Sequence, residues 1–191
     1  MASIQDKREI IHRHEVAFAE TLSAEVIERP KLSVWMILIP ILFVTYFYQL
    51  RRYAAGRREF TKHYLMSKQG ALDAAFHALD SGAEPDIDRL ALLSDVPDDI
   101  RPLQAGVLNL LIEHFLGLLR ADGDDYDALV RSAYRDRTAY LLFLNRLNKT
   151  ENEVYAALTP RLPEEGVSNA VERVEHESER LRRREAERIF P

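Results

Sequence analysis

The stretch from Leu32 to Leu50 carries no charged side chain, and it constrains this chain more than any other feature. Its nineteen residues are apolar on every face of a helix, with only hydroxyls and one amide as polar groups. Such a helix would be about 28 Å long, which matches a hydrocarbon core of about 30 Å. A buried core helix is the weaker interpretation, because basic residues bracket the uninterrupted run on both sides. The sequence therefore predicts a membrane anchor over residues 31–51.

The aromatic residues and the proline of this anchor predict how it lies in the bilayer. Trp35 lies near one end and Tyr46 and Tyr48 near the other, as aromatic residues do at the two membrane interfaces. Pro40 falls near the middle and removes one backbone donor, so a kink is expected there. About thirty residues precede the stretch and no small-residue cleavage site follows it, so the anchor is expected to be retained. The predicted anchor residues are Trp35, Pro40, Phe43, Tyr46 and Tyr48.

Two topologies remain open for the anchor. Six basic residues lie between Arg51 and Lys68, against Arg29 and Lys31 on the N-terminal side, so the positive-inside rule places the larger part in the cytoplasm. A single crossing would then translocate an N-terminal tail with eleven charged residues. A re-entrant hairpin bent at Pro40 would keep both ends at the cytoplasmic face of an inner or plasma membrane. We favour the crossing, because non-helical backbone inside lipid needs protein cover.

Charge is segregated along the chain, although the formal net charge is only −5. Residues 51–68 hold six basic residues and one acidic residue, whereas residues 73–127 hold thirteen acidic and three basic residues. The mild overall balance leaves no basic footprint for nucleic acid. Basic residues beside the anchor are predicted to contact lipid headgroups, at about 1 kcal/mol each near an anionic surface, although ordinary positive-inside flanking explains them equally well. They are Lys31, Arg51, Arg52, Arg57 and Arg58.

Helical periodicity dominates the rest of the chain, and no alternating strand pattern of useful length occurs. Ser3 and Asp6 have the spacing of a capping box. The apolar stripe from Ile4 to Leu22 predicts an amphipathic helix that lies on the membrane, packs on the main domain or pairs with its own copy. Predicted helices cover residues 4–28, 51–79, 86–95, 98–120, 125–148, 151–160 and 167–189.

The predicted fold class is all-α. It comprises an N-terminal amphipathic helix (1–30), one transmembrane or re-entrant helix kinked at a proline (31–51), a helical bundle domain (52–162) and a charged C-terminal helix (163–191). The stretch from Leu103 to Leu119 is expected to be the buried centre of the bundle, because Gln104 and His114 are expensive against lipid. The charged helix is expected either to form a short coiled coil or to pack on the bundle by its first half.

No catalytic, metal or nucleotide motif stands out in the sequence. There is no cysteine, which removes disulfides, thiolate catalysis and Cys-ligated metals, and the seven glycines are scattered. The acidic run 122–127 lacks the sixth-position glycine and terminal glutamate of an EF-hand. A metal site would need His63, His77 and His114 to converge in the bundle. We therefore predict no cofactor, no metal, no small-molecule substrate and no enzymatic activity.

The preferred function is a non-catalytic membrane-anchored adaptor or accessory subunit. Its helical domain would dock a partner protein or copies of itself, since apolar surface beyond what a small bundle can bury favours association. One alternative is a small membrane-associated enzyme, or a metal- or cofactor-binding subunit, that uses the bundle histidines. A second alternative is a self-assembling component that coats or shapes membranes. A stoichiometric metal would favour the first alternative and large assemblies would favour the second.

Overall fold

A computed structural model gives the fold and describes residues 2–27, 40–94, 96–161 and 165–191, with backbone alone at 40–53, 63, 161 and 165–170. Within these ranges the fold is all-α, as predicted, with seven α-helices and no strand. The predicted anchor lies partly outside them, at 31–39. The helices are α1 (Ile4–Val26), α2 (Pro40–Ser81), α3 (Ile87–Leu93), α4 (Arg101–Arg120), α5 (Tyr126–Tyr134), α6 (Arg137–Leu158) and α7 (Glu165–Ile189), and a 3₁₀ turn (Thr159–Arg161) follows α6.

Helix α1 begins with the capping box that the sequence predicts. The Ser3 hydroxyl accepts the Asp6 backbone N–H at 3.1 Å, and the Asp6 carboxylate accepts the Ser3 backbone N–H at 2.9 Å. The pair satisfies two amides that a helix N-terminus leaves without partners.

Helix α2 is longer than the sequence predicts. Its 42 residues run without a break from Pro40, through the second half of the apolar stretch, to Ser81. The predicted kink at Pro40 falls on the border of the described residues, since α2 begins there. The second half of the apolar stretch and the first helix of the bundle are therefore parts of one continuous helix.

The single helix predicted over residues 125–148 is wrong, because the chain turns between α5 and α6. Arg135 takes a positive φ of 63° there, and the Asp136 carboxylate accepts the Ala139 N–H at 2.8 Å to begin α6. The predicted break between residues 148 and 151 is also wrong. The Thr150 hydroxyl donates to the Arg146 carbonyl at 2.9 Å inside an unbroken helix, as threonine does in helix interiors.

Helix α4 is the centre of the bundle. It packs against α1, α2, α3, α5 and α6, while α7 packs against α1 and α6. Fully buried side chains concentrate on it, among them Leu108, Leu111, Phe115 and Leu118. The hydrophobic core is therefore built around α4, which contacts five of the other six described helices.

Helix α4 is also the one helix, among the described residues, that is long and apolar enough to cross a membrane. Core helices of soluble domains pass the same test, and 56% of its apolar window is buried inside the protein. The buried Gln104 amide donates to Ser67 Oγ on α2 at 2.9 Å, which places a satisfied polar group inside the bundle. Its packing on five helices is that of a core helix.

Over residues 171–189, where its side chains are described, helix α7 is buried on the bundle by its second half, whereas the sequence predicts packing by the first half. The buried residues in that range are Ser178, Arg182, Ala186 and Ile189, whereas Val171 and Val174 are only partly covered. The prediction relied on the valines as the apolar stripe and did not consider that an arginine would be buried.

Candidate functional site

The end of the bundle next to the apolar stretch is formed by the C-terminus of α1 and the part of α2 that follows Leu50. Arg57 Nε donates to Ser23 Oγ at 3.1 Å, and Arg57 Nη2 donates to the Glu20 carbonyl at 3.0 Å. The guanidinium thus binds a carbonyl near the end of α1 and complements the negative end of its dipole. Residues from the two sides of the apolar stretch are therefore in direct contact.

Those predicted anchor and headgroup residues that the structure describes lie on the first part of α2. Arg58 is exposed on α2, whereas the side chain of Arg57 is partly covered and bound to α1. Headgroup contact stays a prediction for all five basic residues. Pro40, Phe43, Tyr46, Tyr48, Arg51 and Arg52 lie in the first turns of α2, and Lys31 and Trp35 lie outside the described residues.

Below this end, a buried ion pair joins α1 to α2. Lys68 Nζ donates to Glu15 Oε2 at 2.6 Å, and the two side chains are only 8% and 9% exposed. The ammonium also lies about 5 Å from the ring centroids of Phe18 (5.2 Å) and Tyr64 (5.0 Å), as in cation–π contacts. Burial alone would raise the pKa of Glu15, but the charges of Lys68 and His14 outweigh it and lower that pKa to about 2. Both members are therefore charged at neutral pH.

A second buried ion pair joins α6 to α7. Arg182 donates from Nη1 and Nη2 to the two carboxylate oxygens of Glu151, at 2.7 and 3.1 Å. Its guanidinium also donates to Asn148 and, at 3.2 Å, to the Tyr64 hydroxyl on α2. Burial would lower the pKa of Arg182, but Glu151 raises it well above the ordinary value. The buried arginine thus connects three helices.

A third polar contact joins α1 to α7 through His14. Its Nε2 lies 2.8 Å from Glu185 Oε2, and its ring stacks on Tyr126 with centroids 3.4 Å apart. The other oxygen of Glu185 accepts the Tyr140 hydroxyl at 2.9 Å. Burial, and next the Glu185 charge, raise the pKa of Tyr140 well above its ordinary value, so this phenol stays a donor.

His114, one of the three histidines considered for a metal site, is a core residue. Its Nδ1 lies 2.6 Å from the Tyr134 hydroxyl, and its ring stacks on Phe143 with centroids 4.3 Å apart. Burial lowers the pKa of His114 to about 3. The ring is therefore neutral at physiological pH.

Space between these groups is small. The cavity that His14, Lys68, Tyr140 and Arg182 help to line has a volume of about 20 Å³, which holds about one water molecule. Across the part of the chain that the structure describes, no three His, Asp or Glu side chains form a group that could hold a metal ion. His77 is exposed on α2, away from the buried His114.

The acidic run 122–127, considered above for calcium, has structural contacts. Asp125 accepts the Ala128 N–H at 2.8 Å as the cap of α5, and Asp127 pairs with Arg188 of α7 at 2.9 Å. A glycine is required at position 123 because the backbone of α5 lies close to it, and a Cβ there would lie 2.7 Å from the Leu129 nitrogen. These contacts make the run a helix start that is tied to α7.

A different surface lies at the far end of α2. Residues 80–99 contain seven acidic residues and one basic residue. Two neighbouring leucines on α3, Leu92 and Leu93, are 61% and 71% exposed. We call residues 80–99, which include these two leucines, the acidic end. A surface with exposed leucines among acidic residues is suited to binding a partner that carries both basic and apolar residues.

The buried charged residues were not predicted from the sequence. Charged side chains are almost never fully buried unless paired, so surface positions were the expectation. A signal was present in the spacing, because Arg182 lies four residues after Ser178 and four before Ala186, on the face that ends at Ile189. Glu15 has the same relation to Ile11 and Ala19.

Comparison with known proteins yields no matching family model, no matching curated protein and no matching solved structure.

Proposed function

We propose that the chain is a non-catalytic adaptor or accessory subunit held at a membrane by Leu32–Leu50. The observation that carries this is the continuity of α2, which runs from the apolar stretch into the middle of the bundle without a break. An anchor joined in this way fixes the position and orientation of the bundle relative to the lipid surface. A flexible linker would fix only its distance.

The non-catalytic part of the proposal is supported by how the buried polar groups are used. Glu15, Lys68, Glu151 and Arg182 are charged and paired with one another. His114, the one buried member of the three candidate histidines whose side chain is described, bonds to a tyrosine. The cavity between these groups holds about one water molecule. Each charge serves a helix contact, and the space around them is too small for a substrate.

The docking part of the proposal places the partner at the acidic end. Ser81 follows Leu50 by 31 residues, about 46 Å along a continuous helix, so this end points away from the bilayer. Its exposed Leu92 and Leu93 sit among acidic residues. The occupant that fits is a segment of a partner protein that carries basic residues beside apolar ones.

Membrane attachment is tested by vesicle flotation of the full chain with phosphatidylcholine and phosphatidylglycerol. The double variant Leu38→Asp/Leu42→Asp should lose flotation, because an acidic residue at the centre of an inserted helix costs about 2.5–3.5 kcal/mol. The matched control Leu92→Asp/Leu142→Asp changes two exposed leucines of the bundle and should float like the wild type. Equal flotation of both variants would contradict the anchor.

Docking is tested by cross-linking in cells followed by purification in detergent. The species cross-linked to the wild-type chain should be lost in Leu92→Ser/Leu93→Ser and kept in Leu142→Ser, an exposed leucine of α6. Salt should weaken capture of the partner, since charge complementarity contributes to it. If both variants retain the same species, the acidic end is not the docking surface.

A further inference from the structure

We infer that the chain enters and leaves the lipid on the same face, as a hairpin inserted into one leaflet whose returning arm is α2 from Pro40 onward. This inference rests on the proposed membrane attachment and identifies the surface that the bundle meets, which is a single leaflet. It reverses the preference stated from the sequence, which favours a single crossing because non-helical backbone inside lipid needs protein cover.

The first step is that the two sides of the apolar stretch belong to one folded body. Glu15 of α1 bonds to Lys68 of α2 at 2.6 Å inside the core, and Arg57 of α2 bonds to Ser23 of α1 at 3.1 Å. A hydrocarbon core of about 30 Å cannot lie between atoms in hydrogen-bond contact. The residues before Ile27 and after Ala54 are therefore on the same side of any membrane.

The second step is the register of α1 against α2. Three pairs define it: Ser23 with Arg57, Glu15 with Lys68, and Arg8 with Asp73 at 2.7 Å. The sequence midpoint of every pair falls between residues 40 and 42, as in two antiparallel segments joined by a central turn. Pro40 is at this midpoint and is also the first residue of α2.

The third step is length. From Pro40 to Leu50 α2 has eleven uncharged residues, which rise about 16 Å, or half of a hydrocarbon core of about 30 Å. Twelve residues separate Ile27 from Pro40. At about 3.3 Å per residue they can reach about 40 Å, ample to join the end of α1 to the start of α2. The start of α2 therefore lies at most about halfway across the hydrocarbon core.

A single crossing would require α1 to leave the bundle. That would strip Ile11, Leu22 and Val26 of their cover and leave Lys68 in the core without its carboxylate. An unpaired buried charge is among the most unfavourable arrangements in a protein interior. The folded bundle and a single crossing are mutually exclusive.

The absence of cysteine from the chain allows a direct test by labelling. The double variant Gln5→Cys/Lys149→Cys puts one exposed thiol on α1 and one on α6. After reconstitution into sealed phosphatidylcholine–phosphatidylglycerol vesicles, a membrane-impermeant maleimide is added outside, and labels per molecule are counted by intact-protein mass spectrometry. The control Arg89→Cys/Lys149→Cys has both thiols on the bundle and reports labelling efficiency.

A hairpin gives molecules with either two labels or none, in both variants, because the two thiols always share a side. A single crossing gives one label on every molecule of Gln5→Cys/Lys149→Cys, whichever way each molecule is inserted, and this result would overturn the inference. Flotation of the same samples separates this failure from that of the proposed function, since protein that does not float contradicts membrane attachment itself.

Discussion

Glu15 and Lys68 hold α1 against α2 through charges that lie almost entirely out of water. Burying a charge is unfavourable by several kcal/mol, and only a close partner with good geometry offsets it. The Glu15–Lys68 and Glu151–Arg182 pairs meet that condition, at 2.6 and 2.7 Å. Such pairs contribute little net stability compared with apolar residues, but they make any other pairing of the helices expensive. At the residue scale, their contribution is therefore to fix which helix faces meet.

Removing one member of the Glu15–Lys68 pair tests this. Lys68→Met should lower the free energy of unfolding by about 3–5 kcal/mol, because the Glu15 carboxylate stays buried without its partner. Glu15→Gln/Lys68→Met should recover a large part of the loss. The measurement is urea denaturation in mild detergent, followed by circular dichroism.

The control for that cycle is an ion pair of similar length on the surface. Arg183 donates to Glu179 at 2.7 Å, with side chains 63% and 44% exposed. Arg183→Met should lower the free energy of unfolding by about 0.5 kcal/mol or less, because water screens the pair. Equal losses for Lys68→Met and Arg183→Met would contradict a structural role for the buried charge.

His114 makes stability depend on pH in the mildly acidic range. Its pKa falls from 6.5 in the unfolded chain to about 3 in the fold, so the unfolded state binds the proton first as the pH falls. The histidine's contribution is complete above about pH 6.5 and is lost as the pH falls from there towards 3. The free energy of unfolding should decrease by up to about 1.4 kcal/mol per pH unit over that range.

The variant His114→Gln should flatten this pH profile between pH 6.5 and 5. It keeps an amide to bond Tyr134 and removes the titrating ring. Below about pH 4.5 a second loss should remain in this variant, because the lowered pKa of Glu15, about 2, makes its contribution disappear between pH 4.5 and 2. His77→Gln removes an exposed ring and should keep the wild-type profile. Identical profiles for all three proteins would contradict the assignment.

At the scale of elements, local chemistry predicted helix starts better than helix continuity. The Ser3 and Asp6 capping box was readable because both partners lie within one turn. The turn between α5 and α6 was not readable, since neither glycine nor proline marks it and Arg135 takes the positive φ instead. Thr150 has the spacing of a cap with Glu153, but tertiary packing carries the helix through it.

The candidate site likewise has local features that the sequence predicted and long-range contacts that it did not. Sequence reasoning found the apolar stretch and its basic flanks, because length and charge are local properties. It missed the pairing of Glu15 with Lys68, since residues separated by 53 positions meet only after the bundle forms. Which helix face packs is a property of the whole core, and α7 shows this most clearly, with Arg182 rather than a valine at its buried centre.

The turn at Arg135 predicts an unusual effect of glycine. Arg135→Gly should raise the free energy of unfolding by about 0.5–1 kcal/mol, because a left-handed residue with a Cβ costs about 1–2 kcal/mol and the gain is partly offset by unfolded-state entropy. Arg146→Gly makes the same change at an exposed position inside α6. It should lower the free energy of unfolding by about 1 kcal/mol. A higher free energy of unfolding for Arg135→Gly and a lower one for Arg146→Gly, measured by urea denaturation, would support the turn. A decrease in both variants would contradict it.

At the scale of the whole molecule, α2 separates basic residues near the apolar stretch from acidic residues at its far end. The basic residues from Arg51 to Lys62 follow the apolar stretch directly, and the acidic end begins about 46 Å from Leu50 along the axis of the same helix. Anionic lipid would attract the first region and repel the second. The proposed hairpin strengthens this polarity, because α1 ends beside the same lipid face and adds no domain on the opposite side.

The hairpin also predicts that the anchor can be removed without damage to the bundle. Ile27 and Ala54 lie at matching levels of α1 and α2 in the register set by Ser23 and Arg57, and packed helices are about 8–10 Å apart. Replacing residues 28–53 by a six-residue Gly/Ser linker should therefore leave the bundle closed and yield a protein soluble without detergent. Its helical circular dichroism and cooperative unfolding should survive, and Lys68→Met should still lower its free energy of unfolding.

The control deletes residues 2–27 as well, which removes α1 and exposes the face of the bundle that α1 covers. If the linker protein precipitates or unfolds like that control, the two sides of the apolar stretch are not parts of one body.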